Sequence, residues 1–469
     1  MKGLLMPVQK SIVILGLGLT GGAVAKYCAE RLGTTVSSVT VIGGAASKPG
    51  KLSCELENLG CTVKLGTEQI EGHFDLAVVS PGISEFSGFF AEAEAHADEV
   101  IGEPEFAYRQ SPEHWVAITG TNGKTTTTSL STALLHAAGM KAEAVGNIGT
   151  IITGRLDERP ADSWFVAELS SFQLATTKKL HPHVAVLLNI TPDHLEWHKT
   201  LENYAAAKEK IFQNLTKDDL AIISVDDDYS PAICERVAAR GIRVCELTVQ
   251  TEPDTPYAAF LRGSELIVRR AGEEQHICTQ DELSIRGLHN VENALAASAL
   301  ALELHVGLDA IRSGLSTFKP LEHRIEPCGE VNGVHFVNDS KATNTDSVQK
   351  ALTAFKPGHI ILLLGGHDKE TPLTDLACDV AKDVRVAVCY GAAGPRIAEA
   401  LQNEHSDTLT VVEKPHMHEA FDKAVAVAKS GDTVLLSPAC SSFDEFHNMA
   451  ERGRAFKSYV ADLIAKTRE

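Results

Sequence analysis

The sequence predicts an α/β protein of three domains, each organised around a mostly parallel sheet. Three observations predict it. Short apolar runs recur along the chain, several end in glycine-rich or turn-forming residues, and helical patterns lie between them. The length of 469 residues also suits roughly three domains at about 150 residues each.

The first domain, residues 1–110, is expected to be Rossmann-like. It opens with an apolar strand at Ser11–Leu15, followed by Gly16, Gly18 and Gly21 and a helical stretch through Arg31. Val39–Ile42 and Leu76–Val79 supply further strands, the latter ending in Ser80-Pro81-Gly82. The central domain, residues 111–319, opens with Trp115–Ile118 and continues with strands at Trp164–Val166, Val184–Leu188 and Leu220–Ser224. A helix is expected over Leu201–Leu215. The third domain, residues 320–469, is again Rossmann-like, with strands near Val334–Val337, Ile360–Leu364, Val384–Cys389 and Thr433–Leu436. Glu105–Pro112 and Ser316–Pro320 read as linkers.

Charge and cysteine usage exclude some classes. A net charge of −19, from 43 basic and 62 acidic residues, argues against broad binding to nucleic acid or an anionic membrane. The ten cysteines show no paired or zinc-like spacing, so they read as reduced core thiols. The apolar runs are too short to span a bilayer. Ser11–Leu15 leads into a glycine turn rather than a cleavage site. A cytoplasmic, monomeric protein without membrane insertion is expected.

Gly120-Thr121-Asn122-Gly123-Lys124-Thr125-Thr126-Thr127 follows a strand and enters the helical run Thr126–Ala138. Glycines let backbone N–H groups close around phosphate oxygens, and a helix start favours the same anion. Lys124 adds positive charge, and the Thr125 hydroxyl can hold Mg²⁺. Ile118 stands where the full phosphate-loop pattern has its first glycine. The competing reading is a plain glycine turn with a chance lysine; the order strand, loop, Gly-Lys-Thr, helix favours ATP.

Gly16-Leu17-Gly18-Leu19-Thr20-Gly21 has the G-x-G-x-x-G form. A nicotinamide dinucleotide site also needs an acidic residue after the second strand, and Gly43-Gly44-Ala45-Ala46 stands there. A nucleotide diphosphate is the favoured ligand, with a purely structural turn as the alternative. Glu168 and His194 each follow a central strand, on the carboxyl-end side where ligands bind in such sheets; a carboxylate there can hold Mg²⁺. Lys208, in an alanine-rich helix, reads by itself as a surface lysine.

Together these blocks resemble the Mur ligases of bacterial peptidoglycan synthesis. The resemblance runs in order over nearly the whole chain. It includes Gly146-Asn147-Ile148-Gly149, Glu168–Gln173, Asn189–His194, His289–Ala294, His323-Arg324, Asn338–Asn344, Gly365-Gly366 and Leu436–Asp444. The strings Asn338–Asn344 and Ser437–Cys440 point to the members that join glutamate to a UDP-linked muramoyl-alanine.

The resemblance implies an ATP-dependent amide ligase working through an acyl phosphate, with UDP-N-acetylmuramoyl-L-alanine and D-glutamate as substrates. It implies Lys124, His194 and Lys208 as catalytic residues. Two Mg²⁺ ions are implied, with Thr125, Glu168, His194 and a carbamylated Lys208 around them. Asn293, Arg324 and Asp339 would join Gly120–Thr127 in contacting ATP. Leu19, Thr20, Gly82, Asn147, Ser170 and Gln173 would contact the UDP-muramoyl substrate. Lys341, Thr343, Ser442 and Phe443 would hold the amino acid. Two departures from the family pattern stand out: Gly43–Ala46 in the uracil loop, and Met449 where an aromatic residue often covers the amino acid. Alternatives are a related Mur or folylpolyglutamate-type ligase with another amino acid such as L-glutamate, a nicotinamide-dependent oxidoreductase, and a non-catalytic nucleotide-binding regulator.

Overall fold

The computed structural model describes residues 10–319, 322–369 and 371–468. The chain divides into two compact units, Met1–Thr279 with Glu292–Leu315, and Gln280–Val291 with Ser316–Glu469.

The first unit holds two sheets. The smaller has the order Thr62–Lys64, Val36–Ile42, Lys10–Leu15, Leu76–Val79, Val100–Gly102, all parallel. Val13, Ile14 and Leu15 are fully buried because helices cover both faces of the sheet. Lys10–Leu15 is central, with crossovers leaving to both sides, so a crevice opens beyond its carboxyl end. Gly16–Gly21 occupies that end. Gly16 has φ +95°, and a Cβ on Gly21 would lie 2.0 Å from the Gly16 carbonyl oxygen, so the close strand-to-helix turn requires glycine at both positions.

The second sheet has nine strands. Its order is Glu273–Thr279, Glu265–Arg270, Ala258–Arg262, Arg243–Thr248, Leu220–Ser224, Val184–Leu187, Trp115–Thr119, Trp164–Glu168, Ala142–Gly146. Seven strands run parallel, and the two at the Glu273–Thr279 edge are antiparallel hairpin strands. The central parallel strands Trp115–Thr119, Val184–Leu187 and Leu220–Ser224 are buried on both faces, as packing between helix layers demands. Trp115–Thr119 lies between Val184–Leu187 and Trp164–Glu168, so three carboxyl ends sit side by side.

The other unit carries a six-stranded sheet ordered Glu326–Val331, Val334–Asn338, Thr433–Ala439, Ile360–Gly365, Val384–Tyr390, Thr410–Lys414. Only Glu326–Val331 pairs antiparallel. Three mostly parallel α/β sheets are therefore present, as the sequence predicts.

Two expected linkers are corrected. Glu103–Gln110 is a helix, and Glu105 within it is fully buried. The Glu105 carboxylate accepts hydrogen bonds from the backbone N–H groups of Lys178, Lys179 and Leu180 and pairs with Arg109. The neighbouring Glu103 accepts from the Thr153 N–H and hydroxyl. The stretch reads as a linker, but these carboxylates find partners distant in sequence. Likewise the helix Leu308–Thr317 runs into the second expected linker; Pro320 lies outside the described residues. The expected helix Leu201–Leu215 ends at Glu209 and tightens into a 3₁₀ turn, Lys210–Phe212. All ten cysteines are free, but Cys54 and Cys378 are exposed rather than in the core. Among the described residues no helix is long and apolar enough to cross a membrane.

Candidate active site

The Gly120–Thr126 loop closes over the end of Trp115–Thr119. Gly120 (φ +151°) and Gly123 (φ +83°) adopt conformations that favour glycine, and a Cβ on Gly123 would meet Asn293 Oδ1 at 2.4 Å. Asn189 pins the loop from the next strand end: its Oδ1 accepts from the Asn122 N–H at 2.8 Å, and its amide donates to the Asn122 carbonyl at 3.3 Å. Thr127 Oγ1 donates to Asn293 Oδ1 at 3.0 Å. The helix Lys124–Ala137 starts here, so its positive end faces the loop.

Two lysines converge on this loop. Lys124 Nζ donates to the carbonyls of Gly120 and Thr121, both at 2.8 Å. Lys208 Nζ, buried in the helix Leu201–Glu209, donates to the same Gly120 carbonyl at 2.6 Å and lies 4.5 Å from the centre of the Tyr204 ring. Burial holds the Lys208 amine well below the usual lysine range, and the Lys124 charge pushes it further; Asp193 and Glu168 oppose both. Lys208 is thus a desolvated amine rather than the surface residue its composition suggested.

Glu168 ends its strand and is buried. Oε1 accepts from Asn147 Nδ2 at 2.7 Å, whereas Oε2 is buried with no partner among the described residues. Gly146 makes this possible, because a Cβ there would lie 2.4 Å from the Glu168 carbonyl oxygen. Ser170 and Gln173 cap the short helix Ser171–Ala175 reciprocally: Gln173 Oε1 accepts from the Ser170 N–H and hydroxyl, and Ser170 Oγ accepts from the Gln173 N–H.

His194 follows the third strand end. Its backbone is left-handed (φ +53°), its N–H donates to Asp193 Oδ1, and its half-exposed ring lies 4.8 Å from Phe172. Phe172 stacks on Trp197 at 4.6 Å and on His198 at 5.5 Å. His198 is buried, accepts or donates through Nε2 to Ser171 Oγ, and is pushed down to about 4 by burial and by Lys208 and His194.

Lys124, Glu168, His194 and Lys208 thus gather at three adjacent strand ends. Leu19 and Thr20 begin the helix after Gly18, with Leu19 84% exposed, an unusual placement for a leucine. Gly82 and Asn147 are exposed. Sequence reasoning missed Tyr204, whose hydroxyl meets Thr121 Oγ1 at 2.9 Å, and Asn189. Asn189 stands inside a quoted block and Tyr204 in the expected helix Leu201–Leu215, but nothing local revealed their partners.

The second unit brings its own candidates together. Asp339 follows the strand Val334–Asn338; it accepts from Ser437 Oγ at 2.7 Å and from the Ile325 N–H at 3.2 Å. Burial pushes its carboxyl up to about 7, opposed by those two bonds and by Arg324 and Arg452. Arg452, also missed, is fully buried. It donates to Ser340 Oγ and the carbonyls of Ser340, Cys440 and Ser441. It thereby staples the loop carrying Lys341 and Thr343 to the loop carrying Ser442 and Phe443. Ser442 Oγ is buried without a partner among the described residues, and Phe443 is 68% exposed.

Comparison with known proteins accords with this geometry. Residues 118–301 match the Mur ligase middle domain, and residues 323–440 match the Mur ligase glutamate ligase domain. A UDP-N-acetylmuramoylalanine–D-glutamate ligase of Alkaliphilus oremlandii is 36% identical, covering 97% of this chain and 99% of that one. The protein of the same name from Caldanaerobacter subterraneus is 38% identical with the same coverage. Among solved structures, the UDP-N-acetylmuramate–alanine ligase MurC of Thermotoga maritima superposes with a TM-score of 0.57 at 19% identity, covering 97% of this chain and 100% of that one. MurF of Acinetobacter baumannii gives 0.58 at 18% identity, over 84% of this chain and 92% of that one. By full-length similarity and by its matched domains, the chain belongs to the Mur ligases, in the group of UDP-N-acetylmuramoylalanine–D-glutamate ligases.

Proposed function

We propose that this protein joins D-glutamate to UDP-N-acetylmuramoyl-L-alanine, using ATP and an acyl-phosphate intermediate. Residues 1–110, 111–319 and 320–469 then serve the UDP moiety, the ATPase and the amino acid, in a cytoplasmic monomer. One observation carries this: two lysine amines share the Gly120 carbonyl beside a buried carboxylate oxygen of Glu168 that has no partner among the described residues. Such a site suits phosphates and cations, because each unbalanced charge finds its complement there.

In the first step an alanyl carboxylate oxygen attacks the γ-phosphorus of ATP and ADP leaves. Two anions meet, so Lys124 and the N–H groups of the loop offset the repulsion. The unpartnered Glu168 oxygen and the glycine cradle fit Mg²⁺: Thr125 would hold one ion on the phosphates, and Glu168, His194 and Lys208 a second. Bound there, Mg²⁺ would neutralise the reacting oxygens. Lys208 fits this role as a carbamate. Its desolvated neutral amine would attack the carbon of CO₂, and loss of one N–H proton to solvent would leave an anionic carbamate whose oxygens can serve as ligands. In the second step the glutamate amine attacks the acyl carbon and phosphate leaves. Lys341, Thr343 and Ser442 supply the charge and hydroxyls that a dicarboxylate needs.

The test is phosphate release with ATP, UDP-N-acetylmuramoyl-L-alanine and a panel of amino acids. Release dependent on D-glutamate is expected. Dependence on L-glutamate or another amino acid would overturn the substrate assignment.

A further inference from the structure

The three groups proposed to hold the second cation come from different elements. Glu168 is the last residue of its strand, so the sheet itself places it. His194 stands in the loop after Val184–Leu187, and Lys208 near the end of the helix Leu201–Glu209. The strand Trp115–Thr119 separates the Glu168 strand from Val184–Leu187, so those two strand ends stand roughly 10 Å apart. The sheet alone therefore does not bring His194 to Glu168. We propose that His198 is the positioning residue that does so, by locking the segment after Glu168 to the segment after His194. The inference rests on the proposed function and deepens it.

The link is a closed path of short contacts. His198 is fully buried, and Ser171 is nearly so. His198 Nε2 and Ser171 Oγ share a hydrogen bond of 2.8 Å. The other ring nitrogen, Nδ1, is buried with no partner among the described residues, so Ser171 is the polar anchor of the ring. Ser171 begins the short helix that follows Glu168. On the other side, the His198 N–H donates to the His194 carbonyl at 3.1 Å, so a single helical turn joins the two histidines. The path thus runs from Glu168 through Ser171 and His198 to His194. Phe172 reinforces it, because its ring packs against those of His194, Trp197 and His198 at 4.8, 4.6 and 5.5 Å.

His198 also reaches the helix of the third ligand. Its carbonyl accepts from Asn203 Nδ2 at 2.9 Å. Its ring meets the Tyr204 ring edge-on at 5.2 Å, one turn before Lys208. One buried side chain therefore touches the supports of all three groups. Groups that orient metal ligands in this way commonly set metal affinity by tenfold or more.

The test counts Mn²⁺ ions by paramagnetic resonance in the presence of ADP and UDP-N-acetylmuramoyl-L-alanine. Two ions are expected on the wild type. His198→Phe keeps a ring in the stack but loses the hydrogen bond, and Ser171→Ala loses it from the other side. Each is expected to weaken the second ion about tenfold, and the double variant no further than either alone. The ion on the nucleotide phosphates should stay within about twofold, which also reports folding. His198→Gln, whose amide can meet Ser171 Oγ, should return the second ion to within about threefold of wild type. Unchanged affinity in both single variants would overturn the inference. So would additive losses in the double variant, or a His198→Gln protein no better than His198→Phe. If His198→Phe loses both ions, Ser171→Ala decides. A wild type that binds one ion would overturn the second cation and this inference together. Two ions without D-glutamate-dependent phosphate release would overturn the substrate assignment alone.

Discussion

Lys208 and Arg452 pose the same physical problem and answer it differently. Each is a basic side chain buried against backbone carbonyls. Lys208 has one carbonyl, that of Gly120, and the face of the Tyr204 ring. Arg452 has three carbonyls and a hydroxyl, drawn from two separate loops. An amine can shed its proton when desolvated, whereas a guanidinium keeps its charge at any pH a protein survives. Burial therefore favours the neutral form of the lysine and makes the arginine a permanent strut. One region stores chemistry; the other stores shape and positive potential for an acidic ligand.

The largest expected effect lies in the first region. Lys124→Ala should lower phosphate release and ligation together by about a thousandfold, the scale of losing a charged transition-state donor. Ligation surviving in a folded Lys124→Ala protein would break the ATPase reading. Methionine at each buried position separates the two basic groups directly. Arg452→Met should cost roughly 3–5 kcal/mol in denaturant unfolding, because four acceptors lose their donor. Lys208→Met should stay within about 1 kcal/mol of wild type, since its desolvation penalty disappears with its bond. Yet it should lose activity, and Lys208→Ala should regain part of it with added short carboxylates. Similar stability losses for the two methionine variants would erase the distinction.

A further effect is a pH dependence. Burial raises the Asp339 carboxyl to about 7 in the folded protein, against about 3.9 when unfolded. The folded state therefore favours the protonated acid. Its stabilising contribution is complete below about pH 4 and is lost as pH rises through 7, and every tenfold gain in proton affinity on folding is equivalent to ~1.4 kcal/mol. Relative to Asp339→Asn, the ligand-free wild type should lose stability between about pH 4 and 7. A difference that stays flat across that range would show Asp339 ionised throughout.

The central site was legible because its groups stand at strand ends, where a short apolar run followed by glycine or a carboxylate leaves a local trace. Gly120–Thr126, Glu168 and His194 are of this kind. Lys208 carried no such trace; only the family resemblance singled it out, since its burial depends on a strand end 88 residues away. Arg452 was missed for the same reason. Its helix, Met449–Arg468, is rich in charge and reads as solvated, and its partners lie about a hundred residues upstream as well as next door. The antiparallel strands Glu265–Arg270 and Glu273–Thr279 were also missed, because exposed charged residues interrupt their apolar alternation. The phosphate loop needed no partner to be seen; the buried cations did.

The helix Glu103–Gln110 has a consequence for how the protein can be taken apart. Its sequence invites a cut at residue 110, as if the first sheet were a detachable module. Glu105, however, is the acceptor for three consecutive N–H groups of the neighbouring sheet's Lys178–Leu180 loop. Cleavage there would leave the amino-terminal fragment with a carboxylate that keeps Arg109 but loses its three backbone donors, and the remainder with three bare amides. The seam is therefore structurally welded. Shuffling this sheet between relatives requires carrying the Thr153 and Lys178–Leu180 loops with it.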